Sequence, residues 1–408
     1  MKLSLLSLCA GLFLSASFCH GQRHLTAHDA VAYAMSHRPE LVSANDRVEE
    51  SEQLRVQAGL KPNPRLILQS EDLRPASPFV FGRNAESYAY LNQNFELEGK
   101  RQKRVELASQ TAGITRAESE LLRRQIARNV LEAYWRTESA ERARDLYGES
   151  AEYFQQAIDY HEARFKEGKL AEVDLMRVRL EGQRVRAAAA EAQLEVERAM
   201  LALSREMATS PVQTWSLDED FEALHDATNI PPGSDVATWR PEGKIAIQAI
   251  SQAKANLALQ RANGRPDLNG LLGYKRNGSL DTAIIGLQLD LPFFNRNQGA
   301  VGAAEASVRA AEQDLSSARI QLNYEEELAK REFALRLDQC QNIFKPLLEQ
   351  ATQISDVSRA VYREGGLDLV RMLDAERVRI DAQLSWVNAL AAYHQSFVEF
   401  EYAEGVEP

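Results

Sequence analysis

The sequence predicts a mainly α-helical protein with a small membrane β-barrel portion. Three observations carry that prediction. The chain is written twice, each copy contains a helical stretch too long for a compact globule, and each copy contains short segments of period-two alternation. The duplication shows in matched words. Arg38-Pro39-Glu40 recurs as Arg240-Pro241-Glu242, and Pro64 recurs as Pro266, both at an offset of 202. Phe165-Lys-Glu-Gly168 recurs as Tyr362-Arg-Glu-Gly365 at an offset of 197. The first copy spans 22–208 and the second 240–408, joined by a polar linker, 209–239, that contains Pro231-Pro232-Gly233.

Composition narrows the class. With 408 residues, 44% of them hydrophobic, but only 21 glycines and 13 prolines, the chain is neither collagen-like nor a Pro/Gly-rich disordered segment. A net charge of −11 argues against nucleic acid as a partner. Three cysteines cannot build a disulfide framework, and no CxxC, HExxH, Walker or nucleophile-elbow pattern occurs. The expectation is therefore a protein that is not an enzyme and has neither cofactor nor resident metal.

Residues 1–21, with Lys2, a short apolar run and Gly21, read as a secretory signal peptide. Cys19 raises the question of a lipid anchor, but Phe18 stands where a small residue is wanted. Beyond this segment no apolar run approaches eighteen residues, so any membrane insertion falls to strands.

Each copy has one order of elements. A helix follows the Arg-Pro-Glu, at 41–58 and 245–262, and a Pro- or Gly-bearing break ends it. Two alternating segments come next. In 87–97 one face carries Ala89, Leu91, Gln93, Phe95 and Leu97, the other Tyr88, Tyr90, Asn92, Asn94 and Glu96. In 282–291 Ala283, Ile285, Leu287, Leu289 and Leu291 oppose Ile284, Gly286, Gln288 and Asp290. Such patterning suits a strand with lipid on one side and water on the other, or an ordinary soluble hairpin.

The helical stretches follow. No proline lies between Pro78 and Pro211, and from 100 to 165 apolar residues step by three and four. Gly168 marks a reversal, and the chain returns along 173–208. The second copy runs from 298 to 363, turns at Gly365-Gly366 and returns to about 402, with Pro346 expected to bend the outgoing helix or loosen one turn. Antiparallel coiled-coil hairpins result.

Four strands cannot close a barrel, and a sheet in lipid must close. Oligomerisation is therefore required, and three chains would give a twelve-stranded barrel continuous with a bundle of long helices. At this point the chain resembles the outer-membrane efflux proteins of the TolC family over its whole mature length. The most telling local match is Leu291-Pro-Phe-Phe-Asn-Arg-Asn-Gln-Gly299, which looks like the version in the heavy-metal branch typified by CzcC; 58–66 is a second family-like passage.

The resemblance implies a homotrimeric channel-tunnel. Its barrel sits in outer-membrane lipid and its helical tunnel crosses the periplasm. A periplasmic adaptor and an inner-membrane pump of the RND type supply the work of export, and heavy-metal cations are the expected cargo. Organic-solute or drug efflux and type I secretion are the alternatives within that class. Outside it stand a periplasmic adaptor, which would carry one hairpin rather than two, and a coiled-coil scaffold, which would need no amphipathic strands.

The resemblance also implies a periplasmic gate at Tyr362, Arg371, Asp374 and Asp174. Arg371 departs from the family pattern, which has an aspartate there. Asp174 and Asp374 could equally be solvated positions paired with Arg177 and Arg377 at i+3. Gly168, Lys169, Gly365 and Gly366 are the expected adaptor-docking tips, with the loop 75–81 at the opposite end. His24 and His28 are four apart, with His37 beyond, but they lack an evident third ligand and read as a solvated terminal segment whose helix Thr26 caps. Tyr134-Trp135 and Tyr153-Phe154 read as inter-helix packing.

Overall fold

A computed structural model describes residues 23–73, 85–211, 215–224 and 236–405. The expected signal segment, the loop 75–81 and Pro231-Pro232-Gly233 lie outside the described residues. The chain order is β1 (Arg23–Leu25), α1 (Ala27–His37), α2 (Pro39–Ala58), β2 (Arg65–Glu71), β3 (Glu86–Phe95), α3 (Lys100–Lys166) and α4 (Glu172–Glu206). It continues with β4 (Trp215–Leu217), α5 (Pro241–Asn263), β5 (Leu268–Asn277), β6 (Leu280–Leu289), α6 (Gln298–Gln339), α7 (Lys345–Arg363) and α8 (Leu369–Glu404).

Helix starts follow their local chemistry. Pro39 and Pro241 occupy the first turns of α2 and α5, where a missing N–H costs nothing and a fixed φ helps. The preceding arginines act as clamps. Arg38 grips Glu40 at 2.9 Å and Glu206 of α4 at 3.0 Å; Arg240 grips Glu242 at 2.7 Å and Glu325 of α6 at 3.0 Å. The repeated Arg-Pro-Glu thus ties each short helix to a long one. Thr26 caps α1 by accepting from the Asp29 N–H at 3.1 Å.

The helix α3 runs 67 residues without a break, about 100 Å at 1.5 Å per residue. Its counterpart is interrupted. Between α6 and α7 the backbone forms one π turn over Cys340–Phe344, with the Lys345 N–H donating to the Cys340 carbonyl. Pro346 lies just beyond, has no N–H to offer, and loosens the turn as its sequence position foretells.

Two sheets form. Strands β2-β3-β5-β6 make one antiparallel sheet, each hairpin joined to the other through β3 and β5. The three-residue strands β1 and β4 pair in parallel, a feature the alternation pattern did not signal. They fasten the N-terminal segment to the linker beside the main core. Ala30, Ala127, Val130, Tyr134, Leu203, Met207, Leu390 and Tyr393 are buried in that core. Tyr134 donates its hydroxyl to the Leu25 carbonyl at 3.0 Å, and Trp135 stacks on His394 with centroids 3.7 Å apart, so both rings pack between elements. A second core near the reversals holds Phe154, Ile158, Val178, Leu369, Met372 and Ile380.

Candidate functional site

Two features of this fold bear on function: the open sheet at one end and the two helix reversals at the other. Register in the sheet puts Leu66 opposite Leu91, Leu91 opposite Leu272, and Leu272 opposite Ile285. These four, with Leu68, Phe95, Leu287 and Leu289, form one exposed apolar face; Ile285 is 81% exposed and Leu287 75%. The opposite face is more polar: Ile67, Tyr90, Leu271 and Ile284 share it with Tyr88, Asn92, Asn94, Asn269 and Gln288, and with Lys275 bonded to Glu86 at 2.6 Å. β2 and β6 end the sheet with unpaired ladders. An exposed apolar face with bare edges is unsuited to water and suited to lipid, provided the edges find partners. At the lower margin Leu291, Phe293 and Phe294 stay exposed, Phe294 at 94%. No helix of the described residues is long and apolar enough to cross a membrane.

The two reversals are built alike. Gly168 takes φ +70° and Gly365 φ +79°, values that a side chain would strain. In the first, the Gly168 N–H donates to the Phe165 carbonyl and the Lys169 N–H to the Arg164 carbonyl, both at 2.9 Å. In the second, Gly365 donates to Tyr362 and Gly366 to Val361, both at 3.0 Å. This is the paired bonding of a Schellman cap, and it explains why Phe-Lys-Glu-Gly and Tyr-Arg-Glu-Gly recur. Gly168, Lys169, Gly365 and Gly366 are all exposed, and Tyr362, Leu367 and Leu369 join one apolar cluster with Ile158 and Val178, so both tips lie at the same end.

The residues tied by resemblance to a gate divide into two groups. Tyr362, half-buried, reaches across from α7 to α3, where its hydroxyl lies 2.8 Å from Nε2 of buried His161. Asp174, at the start of α4, contributes its charge to the same pair and lies 3.7 Å from Arg177. Arg371 and Asp374 instead sit exposed on α8. Arg371 pairs with Asp368, the α8 cap, at 3.4 Å, and Arg377 reaches Glu181 of α4 at 2.6 Å rather than turning to Asp374.

Sequence reasoning missed two groups here. His161 sits inside an unbroken helical pattern and carries no spacing signal. The other is Glu376, fully buried, which accepts from Ser355 at 2.7 Å and from both Arg359 and Arg379. Burial alone would raise its carboxyl; the bonds from Arg359 and Ser355 hold it below its ordinary value. Arg359 in turn lies over the Tyr153 ring at 4.3 Å, so the node locks α3, α7 and α8 together. A signal did exist: 369, 372, 376 and 380 share one helical stripe, and Glu376 is the charge on it.

Histidines 24, 28 and 37 do not converge. His24 is 3.7 Å from Asp218, and His37 stacks on Tyr33 at 3.9 Å. Among the described residues no group of three His, Cys, Asp or Glu could hold a metal ion.

A protein with long helical hairpins below and an amphipathic, edge-bare sheet above is of the outer-membrane channel class. The profile of the family described as "Outer membrane efflux protein" matches residues 31–209 and 240–405, and the chain belongs to that family, with its place in the outer membrane. It is similar to the cobalt-zinc-cadmium resistance protein CzcC of Cupriavidus metallidurans, 24% identical over 91% of this chain and 88% of that one. It is also similar to the nickel-cobalt-cadmium resistance protein NccC of Alcaligenes xylosoxydans xylosoxydans, 25% identical over 69% of this chain and 63% of the other. Among solved structures the channel CusC shares the fold at a TM-score of 0.81, with 17% identity over 93% of this chain and 91% of its own.

Proposed function

We propose that three copies of this chain close a twelve-stranded barrel and form the passive exit duct of a tripartite efflux system. The observation that carries the reading is the four-stranded sheet. Its lipid-suited face, water-suited face and two bare edges make sense only when β6 of one copy meets β2 of the next. The repeats 22–208 and 240–408 then contribute two strands and one helical hairpin each, with 209–239 as a belt between them. A periplasmic adaptor engages the tips at Gly168, Lys169, Gly365 and Gly366, and an inner-membrane pump of the RND type supplies the energy. The resistance proteins it resembles support heavy-metal cations as cargo.

In this reading Tyr362 and Asp174 hold the tunnel closed near the tips, while Arg371 and Asp374 line the mouth. Three copies of Asp374 around one axis attract cations, and three of Arg371 one turn away offset them. The test is reconstitution. Purified trimer in planar bilayers is expected to give ohmic channels, and loss of the protein in cells is expected to raise cobalt, zinc or cadmium accumulation. Cysteines at Lys169 and Gly366 should cross-link to the adaptor, whereas cysteines in the loop 75–81 should not. Absence of channels, with unchanged metal accumulation, would refute the duct.

A further inference from the structure

The bond between His161 and Tyr362 joins the two hairpins. His161 belongs to α3 of the first hairpin and Tyr362 to α7 of the second, 201 positions apart. His161 is 2% exposed, and both ring nitrogens are engaged: Nδ1 lies 2.6 Å from the Ala157 carbonyl, Nε2 2.8 Å from the Tyr362 hydroxyl. A carbonyl can only accept, so Nδ1 carries the hydrogen. Nε2 is then the acceptor and Tyr362 the donor. The ring planes are 25° apart with centroids at 5.8 Å, so the two side chains also pack.

We propose that His161 is a positioning residue of the gate: in its neutral form it holds Tyr362, and with it the second hairpin, against the first. This rests on reading the tips as the closing end of the duct. Protonation puts a hydrogen on Nε2 facing the hydroxyl and removes the acceptor that Tyr362 uses. It also leaves a cation in an apolar cluster. The groups around the ring decide how costly that is. On α3, Arg164 opposes the charge and Tyr160 packs edge-on at 5.1 Å. Glu162 is already bound to Arg179 of α4 at 2.6 Å. Asp174 of α4 favours the charge, α7 offers Tyr362, and α8 turns Leu369, Met372 and Leu373 into the cluster. Burial outweighs Asp174, and the imidazole sits below its ordinary range.

The direction of the pH effect follows. Opening wets the ring and returns it to the ordinary histidine value of about 6.5. The histidine therefore favours closure fully above about pH 6.5, and this contribution is lost as pH falls toward the depressed closed-state value. Within that window each protomer shifts toward opening by at most about tenfold per pH unit.

The experiment is open probability of the full trimer in planar bilayers between pH 7.5 and 5.5. Wild type should open several-fold more often at pH 5.5. His161→Gln keeps an acceptor for the Tyr362 hydroxyl but cannot titrate, so it should stay closed across the range. His161→Phe should be open at both pH values, and adding Tyr362→Phe should change it no further. His28→Gln, at an exposed position on α1, should keep the wild-type profile. The ¹⁵N shifts of His161 in detergent-solubilised trimer should report the Nδ1–H tautomer at pH 7.5, which checks the bond without relying on any variant's folding. A flat wild-type profile, an unchanged profile in His161→Gln, or the Nε2–H tautomer would overturn the proposal while leaving the duct intact. A protein that forms no channels at either pH would refute the duct reading and this inference together.

Discussion

The two hairpins perform the same architectural task with different stiffness. The first is one continuous 67-residue helix packed along α4, with seventeen buried residues. The second reaches the same end as two helices with a π turn between them, and α7 buries only Ala351 and Ser355 among its nineteen residues. The clamps differ in the same sense. Arg38 holds the start of the first repeat to the end of α4, whereas Arg240, 1% exposed, holds the second to the middle of α6, above the π turn. Below that turn, α7 depends on the Arg359–Glu376 node and on Tyr362. The difference teaches that a duplicated element can keep an unbroken helical ladder in one copy and interrupt it in the other. A single proline and a thin buried face suffice.

The largest effect should come from the node. Replacing Glu376 with Ala strands the arginine charges and Ser355 in a buried site, a change that costs about 3–5 kcal/mol when a buried pair loses one partner. Denaturant unfolding should show that loss. Hydrogen exchange should place it in α7 and the start of α8, with α3 and α4 still protected. Uniform loss across both hairpins would contradict the comparison.

The next test exchanges the interruption. The offset of 197 that aligns Tyr362 with Phe165 sets Pro346 opposite Glu149. Glu149→Pro should break α3 at a cost of about 3 kcal/mol. Pro346→Ala should let the hydrogen-bond ladder run through and slow amide exchange over 340–346. Equal tolerance of proline at both sites would mean that the hairpins do not differ in stiffness.

A smaller energetic effect with a clear functional readout is expected at the mouth. Asp374 is exposed, and the Tyr362 hydroxyl makes one hydrogen bond worth about 0.5–1.5 kcal/mol, so Tyr362→Phe with Asp374→Ala should leave helix content and trimer mass unchanged. It should raise single-channel conductance and weaken cation preference. Arg371→Ser should strengthen cation preference. Unchanged conductance and selectivity in both would make Arg371 and Asp374 a solvated coiled-coil surface and Tyr362 a packing contact between the hairpins.

The smallest effect concerns pH and the upper shaft. Burial, with Glu132 beside it, pushes the Glu399 carboxyl up to about 7. A carboxyl raised in the fold favours the protonated state there, so its penalty is full above about pH 7 and fades as pH falls toward the unfolded value. The melting temperature should therefore rise modestly from pH 8 to pH 6, and Glu399→Gln should flatten that rise. A slope unchanged by Glu399→Gln would place the effect elsewhere.

Much of this architecture was legible because it rests on local rules. The 3.6-residue period set the long helices, the alternation in 87–97 and 282–291 set β3 and β6, and the repeated Gly at 168 and 365 set the reversals. Pro346 announced its loosened turn. What stayed hidden depends on contacts between segments far apart in the chain. β1 and β4 are three residues each and pair across almost two hundred positions, which leaves no periodicity to read. His161 meets Tyr362 only once α3 and α7 lie side by side. The partner of Arg377 is not legible either, because i+3 spacing offers Asp374 whereas the fold brings Glu181 to it.

The central claim is that the open sheet is one third of a barrel, and the mass of the detergent-extracted protein tests it most directly. Sedimentation or native mass spectrometry of the mature chain should give a trimer, and cysteines placed on the facing edges of β2 and β6 should cross-link between chains. A stable monomer in detergent-free buffer, with all four strands protected from exchange, would contradict the account.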